Sequence, residues 1–100
     1  MREYRHPPVS EIQLESVLYA LSDPVRLSIV RQLAREGEAT CAALDGGRPK
    51  SSMSHHFRVL RESGIVKTRN DGTSRMNELR RSDLESAFPG LLTAILATPG

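Results

Sequence analysis

The succession of hydrophobic periods along this chain predicts a mainly α fold with one small β-hairpin. Three observations carry the prediction. Apolar residues recur at helical spacing through most of the chain. That period is lost in IVKTRN and TSRMNEL, on either side of Asp71-Gly72, where a tight turn between strands is expected. Helical spacing then returns in a Leu-rich end. A chain of 100 residues is expected to form one domain. With no Trp and 4% aromatics, its core must rest on Leu, Ile, Val and Ala.

Residues 1–9 hold Arg2, Glu3, Arg5, His6, Pro7 and Pro8 without an apolar period, and are expected to form a flexible N-terminal arm. The folded domain is expected over residues 10–97, opening at Ser10, where SEIQ reads as a capping box. Leu14, Val17, Leu18 and Leu21 then share a helical face, while Ile12 and Tyr19 point elsewhere. In SDPVRLSIVRQLAREG, Asp23 suits an N-cap, Pro24 the first helical position and Gly37 the stop. Leu27, Val30 and Ala34 form a stripe that Ile29 and Leu33 widen, and Arg26 falls inside it. Its stem should lie on apolar surface while its head finds water or a carboxylate.

A short third helix is expected in EATCAALDGG with Thr40 as its cap, followed by a helix from Lys50 to Ser63 ending at Gly64. After the hairpin, Ser82 opens a second capping box, SDLE, and LLTAILA completes the chain beyond Pro89-Gly90. Helix, helix, short helix, helix, hairpin, helix is the layout of a winged helix-turn-helix.

The run SSMSHHFRVLRESG tests three kinds of chemistry. His55 and His56 are adjacent and so point about 100° apart on a helix, unsuited to holding one ion together. No Cys-x-x-Cys or His-x-x-x-His spacing occurs, so neither a metal nor a cofactor is expected. Ser52 and His56 stand four apart, but no third group orients them and no phosphate loop or acid–base pair is present, so catalysis is not expected. Phasing the helix turns Met53, Phe57 and Leu60 inward, with His56 at the edge. Ser51, Ser54, His55, Arg58 and Glu62 face out, with Ser52 at the tip. Short hydroxyls let a helix approach phosphates and base edges, and Arg58 can fork to guanine or phosphate.

Charge points the same way. Residues 48–81 hold nine basic groups against three acidic ones, a net of +6, whereas residues 1–47 and 82–100 are each −2. Lys50, Arg58, Lys67, Arg69 and Arg75 all fall in the basic segment, whose expected partner is double-stranded DNA.

LSDPVRLSIVRQL, then KSSMSHHFRVLRESGIV, the Asp-Gly hairpin and the Leu-rich end resemble the ArsR/SmtB-like family of bacterial winged-helix repressors over residues 10–97. The resemblance implies a homodimer that binds two half-sites and is released by an effector. It makes Ser51, Ser52, Ser54, His55 and Arg58 groove contacts and Lys67, Arg69 and Arg75 wing contacts. The usual metal sites are missing: the third helix offers only Cys41, and LLTAILA offers no ligand. Asn77 stands where many relatives carry a wing aromatic, and GGRPK makes a long turn before the reading helix.

The dimer is expected through the first and last helices, with Ile12, Tyr19, Leu91, Leu92, Ile95 and Leu96 at the interface. The function expected is sequence-specific transcriptional regulation, as a repressor released by an unidentified small-molecule or redox effector. A redox-responsive regulator using Cys41 and a winged module for protein contacts are the alternatives. No membrane span or secretory signal is expected, and a lone cysteine fits a reducing compartment, so a cytoplasmic location is expected.

Overall fold

The computed structural model describes residues 4–99, and the first firm joint in it is Asp23-Pro24. The Asp23 carboxylate accepts the amides of Val25 and Arg26 at 2.8 and 3.2 Å. Pro24 occupies the first helical position, where a missing N–H costs nothing. Helix α2 (Pro24–Glu36) runs to Gly37, whose φ of 88° suits only glycine and whose N–H donates to Leu33 O.

The chain ahead of α2 departs from expectation. No capping box forms at Ser10: Val9–Glu11 is a single 3-10 turn, and α1 (Leu14–Leu21) begins after Gln13 with no side-chain cap. Ile12 explains the break. Its backbone is extended (φ −75°, ψ 122°), and its side chain, 7% exposed, drops against Gly64 at the end of α4. Ile12 therefore belongs to the protomer's own core and is corrected from the outward position expected of it.

Beyond Gly37 the chain forms strand β1 (Glu38–Thr40) before the short α3 (Cys41–Leu44), so the expected third helix starts later and the sheet gains a strand. Thr40 does cap α3, its hydroxyl accepting the Ala43 amide. Helix α4 (Lys50–Glu62) leads through Gly64 into β2 (Val66–Asp71) and β3 (Ser74–Leu79). Asp71 pairs with Ser74, so the two turn residues are Gly72 and Thr73, one place later than expected. The antiparallel sheet has the order β1-β3-β2. Helix α5 (Arg81–Ala87) starts from Arg80, again without its expected Ser82 cap, and α6 (Leu91–Ala97) follows the left-handed Gly90.

The core joins Val17, Ala20 and Leu21 of α1, Ile29, Val30 and Leu33 of α2, Met53, Phe57 and Leu60 of α4, and Ile65, Val66, Leu84 and Leu92. Leu92, expected at the dimer interface, is 6% exposed and packs within the protomer, because α6 folds back onto α1 and α5. Among the described residues no helix is long and apolar enough to cross a membrane.

At Gly64 the packing leaves no room for a side chain. A Cβ there would sit 2.6 Å from Ile12 Cγ1, on a residue with φ of 86°. Gly64→Ala should therefore cost about 2 kcal/mol or more of stability, read as a lower urea midpoint; an unchanged midpoint would show that the Ile12 contact is slack.

Candidate nucleic-acid interface

Helix α4 buries Met53, Phe57 and Leu60 and leaves Lys50, Ser51, Ser52, Ser54, His55 and Arg58 exposed, which is the phase the apolar spacing demands. Its N-cap is Pro49, which supplies no side-chain bond, so Ser51 does not cap the helix. Ser52 turns its hydroxyl back to Pro49 O at 3.0 Å. The outward face is thus a short, hydroxyl-rich surface at the positive end of a 13-residue helix.

A buried arginine fixes the position of this helix. Arg26 is 5% exposed and bonds in three directions. Nε donates to Ala20 O at 2.7 Å, one Nη to Tyr19 O at 3.4 Å, and the other to His56 Nδ1 at 3.2 Å. Tyr19 and Ala20 present last-turn carbonyls of α1, so the guanidinium caps that helix while gripping α4 through His56. The Arg26 head finds helix-end carbonyls and an imidazole, not the water or carboxylate expected. His56, with a side chain 14% exposed, sits at the core edge as expected, 4.0 Å from Asp23. Burial lowers its pKa below 6.5, Asp23 opposes this, and Arg26, His55 and Arg48 add to the lowering. Burial also acts to raise the pKa of Asp23, but the amides of Arg26 and Val25 outweigh it and hold the carboxyl below its ordinary range.

In the wing, side chains alternate between faces. Ala39, Asn77 and Thr68 lie in one cross-strand row, all buried. Thr68 donates its hydroxyl to Asn77 Oδ1 at 2.7 Å, and Asn77 Nδ2 donates to Ala39 O and to Cys41 Sγ, both at 3.3 Å. Asn77 therefore ties all three strands to α3, a role that an aromatic residue could not fill. Lys67 and Arg69 stand on the opposite, exposed face. Arg69 forms a two-pronged bridge to Glu38 (2.9 and 3.2 Å), and this hydrogen bond holds Glu38 below its ordinary pKa.

Arg75 shares the face of Asn77 but lies nearer the hairpin tip, exposed. There it borders a cleft of about 490 Å³ between α3, α4 and the tip, lined also by Cys41, Lys50, Ser54, Arg61 and Ser74. The structure thus brings Lys50, Ser54 and Arg75 to one cleft with Ser51, His55 and Arg58 on the same helix, and sets Lys67 and Arg69 on the other side of the wing. Cys41 forms part of the cleft wall, half-buried. Among the described residues no group of three or more His, Cys, Asp or Glu side chains gathers around a point that could hold a metal.

Part of this surface escapes sequence reasoning. Arg61 follows Ser54 by seven residues and shares its side of α4, a phase that could have placed it in the cleft. The arm is basic, but it has no apolar period to show where Tyr4 and His6 settle. Residues 1–3 of that expected arm lie outside the described residues, but Tyr4–Pro8 run against the wing. His6 Nε2 accepts the Thr68 amide at 3.0 Å, and the Tyr4 ring lies over Arg61. Burial, then Arg80, Arg61 and Lys67, lower the His6 pKa below 6.5.

Comparison with known proteins places this architecture. A family model described as a helix-turn-helix domain matches residues 21–69. The chain is 32% identical over 90 residues to the Bacillus subtilis (strain 168) protein called uncharacterized HTH-type transcriptional regulator YceK, spanning 86% of this chain and 90% of that one. It is 31% identical over 74 residues to the arsenical resistance operon repressor of Staphylococcus xylosus, spanning 73% and 71%. A crystal structure of an ArsR family transcriptional regulator superposes with a TM-score of 0.69 at 25% identity, covering 81% of this chain and 90% of that one.

Two outcomes follow from the geometry of Arg26 and the histidines. Arg26→Met should lose about 2 kcal/mol of stability, because it takes the guanidinium donor from the Ala20 carbonyl and from His56 Nδ1; parent-like thermal unfolding would contradict this. His6 and His56 bind protons less readily folded than unfolded, so stability is complete above about pH 6.5 and declines as pH falls below it. The urea midpoint should fall on acidification through that range, and less steeply in His56→Gln; a midpoint that rises would reverse the assignment.

Proposed function

The chain belongs to the ArsR family of winged helix-turn-helix transcriptional regulators, and we propose that it is a repressor whose operator contacts come from the outer face of α4 and from the wing. One observation carries this reading. The exposed polar face of α4 lies within the segment that holds the +6 charge, while the rest of the chain is net negative. A cationic helix with short side chains fits the major groove, and the flanking cations fit phosphate. A winged module used only for protein contacts has no need of that concentration.

In this reading Arg58 forks to guanine, Ser54 and His55 approach base edges, and Lys50, Ser51 and Ser52 meet phosphate at the helix start. Arg75 and Lys67 serve the flanking backbone. Arg69 joins them with part of its guanidinium already engaged by Glu38.

The repressor acts as a homodimer. Leu14, Leu18 and Tyr19 of α1 are 42%, 49% and 61% exposed, an unusual cost for an 11.1 kDa chain. Half-buried Leu91 and Ile95 of α6 line a small apolar crevice with Val17 and Leu21 of α1, half-buried Leu96 packs against the same core, and Tyr19 borders a separate groove with Val59 and Glu62 of α4. Two-fold pairing through these helices would cover the patch and set two copies of α4 about 34 Å apart, one turn of DNA. An effector of unidentified chemistry would release the operator by altering that spacing.

Selection of bound DNA from a random pool, repeated at two salt concentrations, supplies the probe. Arg58→Ala should weaken binding at least tenfold and relax the preference at one base position. Lys67→Ala should weaken all sequences evenly and reduce the salt slope by about 0.9. If both variants bind as the parent does, the face is misassigned. Sedimentation at micromolar concentration should give twice the 11.1 kDa chain mass; a monomer alone would remove the dimer.

A further inference from the structure

The N-terminal segment is bonded to both walls of the cleft. His6 accepts the Thr68 N–H on the outer edge of β2, which has a strand neighbour on one side only. Two residues earlier, the Tyr4 ring centre is 4.5 Å from the Arg61 guanidinium and 6.0 Å from that of Arg75. Arg61 projects from α4 and Arg75 from β3, so one ring gathers two like charges carried by separate elements. An aromatic face attracts each guanidinium and offsets the repulsion that would otherwise splay them. Arg61 is half-buried, and its burial lowers the pKa of its guanidinium. Being less screened by water, its charge acts strongly on an anion brought close to it.

We propose that Tyr4 and His6 are positioning residues of the DNA interface: they strap the chain across the wing so that Arg61 and Arg75 are held as a paired grip for a phosphate of the duplex. This rests on the DNA-binding reading above. An exposed arginine at a hairpin tip loses its rotamer freedom when it binds, and ordering it beforehand removes that loss from the binding step. Arg61 supplies the second donor group, so the phosphate is held from both sides of the cleft. The strap requires the ring face, which both guanidiniums approach.

The test uses the full chain and a fluorescent duplex taken from the selection experiment. Tyr4→Ala and His6→Ala should each weaken binding three- to tenfold, whereas Tyr4→Phe should stay within twofold of the parent. In an Arg75→Ala background, Tyr4→Ala should weaken binding by a smaller factor than in the parent, because part of what it positions is gone. If the factor is the same in both backgrounds, Tyr4 acts through general stability and the proposal fails. If Tyr4→Ala and His6→Ala bind as the parent does while Arg58→Ala loses affinity, the strap is refuted and the interface stands. If Arg58→Ala also binds normally, the interface itself is wrong and the strap falls with it.

Discussion

One buried guanidinium holds α4, the helix proposed to face DNA, to the rest of the molecule. Arg26 lies 5% exposed where α1 ends, α2 begins and α4 passes, and it bonds to a group on each neighbour. A buried cation without partners would be costly, and this one is placed at a helix end, where backbone carbonyls run short of intrahelical donors. The same local sequence builds both halves of the joint: Asp23 caps α2 three residues before Arg26 and faces His56 across 4.0 Å. A neutral His56 accepting from Arg26 suits the lowered pKa that burial imposes on it. The register of α4 against the scaffold is therefore set by directional bonds as well as by the apolar contacts of Met53, Phe57 and Leu60. A helix that must present a defined face to a groove benefits from that second constraint.

The cations of the wing divide into different tasks. Arg69 is committed in part to Glu38, tying β2 to β1 across the sheet, and such an exposed pair adds little stability. Arg75 and Arg61 instead converge on the cleft. Beneath them Asn77 bonds to Thr68, Ala39 and Cys41, so the small sheet is held by polar contacts where a larger hydrophobic side chain would ordinarily pack. Cys41 contributes as the acceptor of one of these bonds, in the manner of a small, half-buried hydrophobe.

Much of the architecture was legible because it rests on local rules. Asp23-Pro24 and Gly37 bound α2 as their chemistry requires, Gly64 stops α4, and the period of Met53, Phe57 and Leu60 gives the phase that turns Ser51, Ser54, His55 and Arg58 outward. The errors lie where a distant contact overrules a local signal. SEIQ reads as a helix start, yet Ile12 is drawn to Gly64, fifty-two residues away, and the helix waits until Leu14. Glu38–Thr40 is too short to announce itself as a strand and exists because β3 offers an edge. Leu92 faces inward because α6 folds onto its own chain. Tyr4 and His6 sit among prolines and charges with no period at all, so only the folded wing reveals what they touch.

The proposed surface for duplex DNA joins the outer face of α4 to the cleft beside the wing and is held in register by Arg26. Backbone amide chemical-shift mapping during titration with a selected duplex tests it most directly. The largest shifts should fall on residues 50–58 and 73–75, with α2 amides near Arg26 moving little. Shifts centred on α1 and α6, with the α4 amides unmoved, would contradict it.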